Sequence, residues 1–448
     1  MGFGKDFIWG TATASYQIEG AYNEDGKGLN CWDVYAGIGG NIKFNETGAV
    51  ACDHYHHMKE DVALMKELGT KAYRFSISWT RILPDGTGKV NEKGLKFYSD
   101  LVDELISNGI EPMITLYHWD YPIALHDKGG WLNKESSEWF LEYTKVVVDA
   151  LSDRVSYWIT INEPQCELGC GFQVGVHAPF EKHIPRDLLI MGSNIILSHG
   201  KAADYIRKNA KKTPKIGYAP IGPCAIPSDD TAEAIEEARQ KTFAVNGEGF
   251  PFSISYWSDP IFLGEYPKEL LDTFGDLVPK FTDEEWAVIK TPLDFYGTNI
   301  YYAQEGRKEG EYSDIYFQGK MMTNIGWPLT PEVLYWAPKF YYERYGKPVF
   351  ITENGMASHD WVSLDGKVHD TYRIDYLNRY LREYKRAADD GVELLGYMQW
   401  SLMDNYEWSH GYTQRFGLVY VDYPTQKRTI KDSGYWYKKV IETNGEEL

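Results

Sequence analysis

Residues 53–77, DHYHHMKEDVALMKELGTKAYRFSI, hold the unit from which the chain is built. Tyr55, Met58, Val62, Met65 and Leu68 recur at spacings of three and four, which lays one apolar stripe along a helix. Asp53 is a candidate N-cap, Gly69 a candidate stop, and Ala72-Tyr73-Arg74-Phe75-Ser76-Ile77 follows as a strand. The same alternation recurs downstream. Leu95, Tyr98, Val102 and Leu105 lead to Gly109 and a strand at 113–117, residues 137–151 lead to 155–161, and 376–388 lead through Gly391 to 394–400. Alternating helices and strands produce parallel strands joined by crossover helices. Strand candidates fall at 6–10, 71–77, 112–117, 156–161, 215–219, 295–300, 348–352 and 394–400. That is the number that closes a (β/α)8 TIM barrel, an α/β fold. An open doubly wound sheet would announce a Gly-x-Gly-x-x-Gly phosphate turn, which is absent. The expectation is a single-domain barrel over residues 1–448 with elaborated βα loops. The gap between the fifth and sixth strands, with an acidic helix-like stretch at 229–241, is one such elaboration.

Composition narrows the function classes. The chain is 43% hydrophobic, enough for a large core, yet no stretch is long enough to cross a membrane, so no membrane partner is expected. A net charge of -19 disfavours nucleic acid and other polyanions. Most of the 15 Trp and 34 Tyr must serve packing, but a cleft that stacks sugar rings would also raise the aromatic share. Five cysteines, at 31, 52, 166, 170 and 224, fit reduced thiols rather than a disulfide framework. With no basic leader and apolar core at the N-terminus, the expectation is a cytoplasmic protein. Cys166 and Cys170 can share a helical face, but no second Cys/His pair stands at zinc spacing; in Asp53-His54-Tyr55-His56-His57, cap and surface roles suffice. No metal and no cofactor is therefore expected. Nothing here decides whether the chain forms a homo-oligomer.

The chemistry sits at strand ends. Glu163 in TINEP, 160–164, and Glu353 in ITENG, 351–355, each close a short β-branched run. Two carboxyls facing each other across a cleft are what glycosidic hydrolysis needs, one protonating the leaving oxygen while the other attacks the sugar or activates water. The pentapeptides alone fit surface carboxylates that cap helices equally well. Other strand ends deliver Gln17, then His118-Trp119-Asp120, then Asn299 and Tyr301, then Trp400 with Asp404-Asn405-Tyr406-Glu407-Trp408. Singly each has a structural explanation. Gathered on one rim they make a bowl of hydrogen-bonding groups over tryptophan, which matches a pyranose.

From end to end the chain resembles the glycoside hydrolase family 1 β-glycosidases, of the bacterial β-glucosidase kind. The resemblance rests on FIWGTATASYQIEG at 7–20, YRFSISW at 73–79, the two glutamate motifs, WSLMDNYEW at 400–408 and RFGL at 415–418. It implies a retaining β-glycosidase that releases terminal non-reducing β-D-glucosyl residues from disaccharides, short oligosaccharides and aryl glycosides, with galactosyl and fucosyl residues left open. It further implies that Glu163 is the acid/base and Glu353 the nucleophile, their carboxyls about 5–5.5 Å apart. Gln17, His118, Asn162, Glu407 and Trp408 would hold the terminal sugar, with Trp400 beneath it and Phe416 at the wall. Arg74 and Tyr301 would contact Glu353, Asn299 would assist near the nucleophile, and Trp327 would line the entrance. Arg74 should favour ionised Glu353, whose charge should in turn keep Glu163 protonated. A phospho-β-glycosidase would lack the Glu407-Trp408 pair, and a myrosinase-like chain would lack Glu163. Gln165 and Phe180 depart from the family pattern on the leaving-group side and leave aglycone preference open; Tyr406 for phenylalanine is conservative. A transglycosylase would share every named residue, and a non-catalytic sugar-binding barrel is disfavoured by both carboxyls being present.

Overall fold

Alternation of buried strands with one-sided helices leaves a parallel sheet no open edge but its two ends, and here the ends meet. In the computed structural model, which describes residues 2–304 and 321–448, the strands are β1 (Ile8–Ala12), β2 (Ala72–Ser76), β3 (Glu111–Tyr117), β4 (Tyr157–Asn162), β5 (Lys215–Ala219), β6 (Tyr296–Asn299), β7 (Val349–Asn354) and β8 (Leu394–Trp400). They pair in the order β5-β4-β3-β2-β1-β8-β7-β6, all parallel. The expected strands are all present, with bounds moved by a residue or two.

The seam between β5 and β6 is closed partly by a side chain. Asp294 N–H donates to Ile216 O at 2.8 Å, and its carboxylate accepts from Ile216 N at 2.7 Å. Farther along, Asn299 N–H reaches Pro220 O at 3.0 Å and Gly222 N–H reaches Asn299 O at 2.8 Å. Glycine is required on both sides of this joint. A Cβ at Gly217 would lie 2.1 Å from the Phe295 ring, and one at Gly297 would lie 2.6 Å from Tyr218 O.

Outside the ring run α1 (His54–Glu67), α2 (Glu92–Ser107), α3 (Ser136–Leu151), α4 (Pro185–Asn209), α5 (Asp283–Ile289), α6 (Val333–Tyr345), α7 (Thr371–Asp389) and α8 (Asp432–Glu442). The longer ones bury the stripe that their periodicity provides, for example Met58, Val62 and Met65 on α1 and Tyr376, Leu377, Tyr380, Leu381 and Tyr384 on α7. The acidic stretch between β5 and β6 forms the helix Ala232–Phe243, capped by Thr231. Asp53 does not cap α1. Its φ is 50° and its carboxylate instead accepts from His56 Nδ1 at 2.6 Å. His54 turns inward to Asp61, which also holds Arg428.

Beneath the loops after β7 and β8 lies a buried ionic network. Lys431 Nζ reaches Asp404 at 2.6 Å and Asp360 at 2.5 Å, Arg373 bonds Asp360 and Asp370, and Arg415 bonds the other oxygen of Asp404 at 2.6 Å. Asp404 thereby anchors the segment that carries residues 405–408. Removing one partner of such a network strands buried charge. Lys431→Met should therefore lower apparent stability by about 3–5 kcal/mol in denaturant unfolding; a loss below about 1 kcal/mol, the range of an exposed pair, would count against the network as an anchor.

Candidate active site

At the C-terminal end of β4 the chain leaves the sheet at Glu163. Its φ of 39° is left-handed, its N–H is held by Ala219 O at 2.8 Å, and its carbonyl accepts from Cys166 N at 2.9 Å. This turn aims the side chain over the barrel mouth. Glu353 lies within β7, paired in register with Asn299 of β6. The loop after it crosses β8 closely, since a Cβ at Gly355 would fall 1.7 Å from Trp400 O.

One buried cation organises the floor. Arg74, from β2, donates to Thr115 Oγ1 at 3.0 Å, Thr352 O at 3.0 Å, Glu353 Oε1 at 2.6 Å and Asn162 Oδ1 at 2.6 Å. Asn162 Oδ1 also accepts from Asn299 Nδ2 at 3.0 Å, so its amide orientation is fixed and its NH2 must face His118 Nε2, 3.0 Å away. His118 Nε2 is then the acceptor and Nδ1 carries the proton, buried and without a partner among the described residues. Burial and the charge of Arg74 drive the pKa of His118 well down, so the ring is neutral.

Asn299 also donates to Glu163 Oε1 at 2.7 Å and accepts from Thr352 Oγ1 at 2.6 Å, so the residue expected beside Glu353 bonds the other carboxyl directly. Tyr301 donates to Glu353 Oε2 at 2.7 Å. Opposite them, Gln17 Nε2 donates to Asn405 Oδ1, Tyr406 O and, at 3.4 Å, Glu407 Oε2, which leaves Gln17 Oε1 buried and unmatched. An unmatched donor on His118 and an unmatched acceptor on Gln17 suit a ligand with hydroxyls.

The walls are aromatic. The His118 ring lies nearly parallel to Trp400 and Trp408, with centroids at 6.0 and 5.8 Å. Trp408 is backed by Trp119 at 4.5 Å and Trp32 at 4.6 Å. Across the cleft, Trp327 packs on Tyr301 at 4.9 Å and Phe416 at 5.9 Å. Every residue singled out for the site thus lies at this end of the barrel, joined through direct contacts. Trp119, read from the sequence only as part of a strand end and given no role of its own, donates to Asn162 O at 3.0 Å, and Trp32 was not foreseen. Trp119 adjoins His118 and was legible as part of that strand end; Trp32 carries no such signal.

Electrostatics separate the carboxyls. Burial pushes Glu163 up to about 8, and the charge of Glu353 adds to the rise, opposed by bonds from Asn299 and Cys166. Burial raises Glu353 as well, and Arg74, Tyr301 and Asn299 pull it back without overcoming that rise, so the expectation that Arg74 would decide its pKa is only partly met. Glu407 is pushed up to about 8 by burial and then by the charges of Glu353 and Glu163.

Gln165 has a different place from the one expected. It is fully buried, and its amide exchanges two 3.1 Å bonds with the backbone of Ile221, so it braces the ends of β4 and β5 and offers nothing to a leaving group. Phe180 is held at φ 63° and sets its ring edge-on to Trp32, behind Trp408.

Known proteins resemble the chain in sequence and in fold. The sequence model described as "Glycosyl hydrolase family 1" matches residues 1–446. The "1,4-beta-D-glucan glucohydrolase" of Thermotoga neapolitana is 44% identical over 447 residues, covering 99% of each chain. "Beta-glucosidase A" of Acetivibrio thermocellus is 45% identical over 452 residues, again covering 99% of each. The structure titled "Beta-glucosidase from Thermotoga maritima in complex with deoxynojirimycin" superimposes with a TM-score of 0.89 at 41% identity, over 99% of both chains. A match over nearly the whole length, in sequence and in fold, places the chain in glycosyl hydrolase family 1.

Proposed function

We propose that the chain is a retaining β-glucosidase that releases terminal non-reducing β-D-glucosyl residues from disaccharides, short oligosaccharides and aryl glycosides. The observation that carries this reading is the unequal setting of two buried carboxyls. Glu353 is held by Arg74 and Tyr301, while Glu163 is pushed up to about 8 beside Asn299. The first is suited to attack and the second to give a proton.

In the first step the Glu353 carboxylate attacks the anomeric carbon as Glu163 protonates the glycosidic oxygen, and the aglycone leaves as an alcohol. The ester that forms removes the charge of Glu353, so Glu163 acidifies and, once ionised, takes a proton from the incoming water. Water attacks the same carbon, the Glu353 ester breaks, and two inversions restore the original anomeric configuration. Tyr301 and Arg74 keep the nucleophile oriented and receive its negative charge back at the end.

The sugar is held by His118 Nδ1–H, Gln17 Oε1, Asn162, Glu407 and Trp408, with Trp400 beneath its ring and Phe416 at the wall. Trp327 lines the leaving-group side. Relatives named as β-glucosidases and as a 1,4-β-D-glucan glucohydrolase support a glucosyl unit and β-1,4-glucan fragments as substrates, which would suit the last stage of cellulose breakdown. Five free cysteines support an intracellular setting. Among the described residues, no helix is long and apolar enough to cross a membrane.

Three measurements test the assignments. Glu353→Ala should abolish turnover while the fold survives, and azide with an activated aryl glucoside should restore activity and yield the α-glycosyl azide; near-normal turnover without azide would put the nucleophile elsewhere. Glu163→Gln should cost about 10²–10⁴-fold on cellobiose and far less on a dinitrophenyl glucoside, as loss of a general acid does; equal losses would overturn its role. The third concerns Glu407, whose carboxyl titrates near 8 in the fold against 4.5 ordinarily. Between those values the folded chain holds more protons than the unfolded one, so this group lowers stability as pH rises through the window. Glu407→Gln should lower kcat/KM for glucosides yet gain thermal stability over the wild type progressively from pH 4.5 to 8; parallel stability profiles would contradict the shift.

A further inference from the structure

Phe180 holds a φ of 63°, a left-handed conformation that a residue other than glycine keeps only where its surroundings over-determine it, and the proposed reaction gives it no task. Residues 177–183 around it show two faces. On the inner face the His177 ring lies 5.4 Å from Trp32, 5.3 Å from Trp119 and 6.4 Å from Trp408. Its carbonyl accepts from Phe180 N at 2.6 Å, and the Phe180 ring stands edge-on to Trp32 at 6.2 Å. On the outer face the Glu181 carboxyl sits between two imidazoles. Oε2 accepts from His183 Nε2 at 2.6 Å, and Oε1 faces His126 Nε2 at 3.0 Å. His183 Nδ1 in turn faces Asp187 of α4 at 3.6 Å. Backbone bonds from Glu181 N to Gly171 O at 3.1 Å and from His183 N to Phe172 O at 2.8 Å tie the segment to the π-helix Cys166–Val174, which follows Glu163.

His126 ends the short helix Ile123–His126 on the excursion after β3. Its ring meets Tyr35 edge-on at 5.9 Å, and Tyr35 belongs to the helix Cys31–Tyr35 that carries Trp32. The contacts close a circuit, from Glu181 to His126, to Tyr35, through its helix to Trp32, to Phe180 and back along the chain to Glu181. Trp32 is fully buried and backs Trp408 at 4.6 Å, so whatever moves Trp32 moves the sugar wall. We propose that Glu181 is a positioning residue for that wall: clasped by His126 and His183, it holds Phe180 against Trp32 and thereby fixes Trp408. The bond from His126, joined by that from His183, outweighs burial and holds the Glu181 carboxyl below the usual carboxylate range, so the clasp carries its negative charge at neutral pH.

The clasp is independent of the β-glucosidase reading, whereas its effect on sugar binding rests on it, so the two are measured separately. A double-mutant cycle on the whole chain uses 4-nitrophenyl β-glucoside turnover, inhibition by glucose and hydrogen exchange. Glu181→Ala should raise KM and the Ki of glucose together by about three- to tenfold, the range of coupling between residues in contact. Glu163 and Glu353 keep their partners, so kcat should stay within about twofold. Peptides covering residues 405–412 should exchange faster while the barrel strands stay protected. Phe180→Gly removes the ring and relaxes the backbone, and should raise KM by a similar factor. In that background Glu181→Ala should change KM by less than about 1.5-fold, because its effect runs through a ring no longer there. Glu181→Gln, which keeps an acceptor for one imidazole, should fall between wild type and Glu181→Ala, and it carries the cycle if the alanine variant does not fold. A glutamate that serves stability alone would lower the melting temperature in both backgrounds and leave KM and Ki unchanged. That result, or an equal rise in KM in both backgrounds, overturns the proposal. Should the chain hydrolyse no glucoside, exchange still decides the clasp: unchanged protection over 405–412 in Glu181→Ala overturns it, and faster exchange there supports it.

Discussion

A guanidinium sealed inside a barrel must find every partner it needs among the strands around it. Arg74 uses four of its five N–H donors on groups from β3, β4 and β7 while standing on β2. The cost of burying a charge makes the arrangement all-or-none, because any strand that shifted would leave a cation or a carboxylate uncompensated. The geometry of the site and the register of half the ring are therefore one constraint. Three acidic side chains collect at the barrel mouth: Arg74 opposes the rise of Glu353 and, more weakly, of Glu163, while burial pushes Glu163 and Glu407 up to about 8.

The aromatic wall works by a different rule. Trp408 is clamped by Trp119 and Trp32, and His118 is fitted between Trp408 and Trp400. Packing fixes these rings together with two bonds to Asn162, from Trp119 Nε1 to its carbonyl and from its amide to His118 Nε2, which leaves His118 Nδ1–H for a ligand. Several residues here, Trp119, Glu163, Phe180 and Trp408, hold positive φ, a conformation that costs energy in any residue but glycine. At Trp119, Phe180 and Trp408 the strain is held by the aromatic packing around them.

The barrel was legible because its signals are local and repeated. A three-four spacing, a glycine and a β-branched run can be read at each turn of the chain, and the strands stand where those runs do. The site was legible for a related reason: in this fold chemistry belongs at strand ends, so Glu163, His118, Asn299, Glu353 and Glu407 could be picked from short words. What escaped depends on contacts between distant segments. Asp53 has the residue type of a cap, but its left-handed backbone sends the carboxylate to His56. Gln165 follows the acid/base motif directly, yet its partner is Ile221, and nothing in the motif says that strand five's exit passes there. Trp32 comes from a long excursion after β1 whose path no periodicity predicts. The sign of the Glu353 shift was missed because burial, which a sequence does not display, outweighs the visible arginine.

The ring is joined at β5 and β6 by a mixture of backbone pairing and one carboxylate, Asp294, and it is there that the chain makes its excursion through the helix Ala232–Phe243 and α5. None of the bonds that Arg74 makes crosses that joint. The excursion therefore adds length outside the strands that Arg74 ties together, while Asn299 of β6, which bonds Asn162 and Glu163 at the end of β4, carries the site across the joint. The ring is closed twice at this place, once by backbone and carboxylate at its wall and once by a single side-chain amide at its mouth.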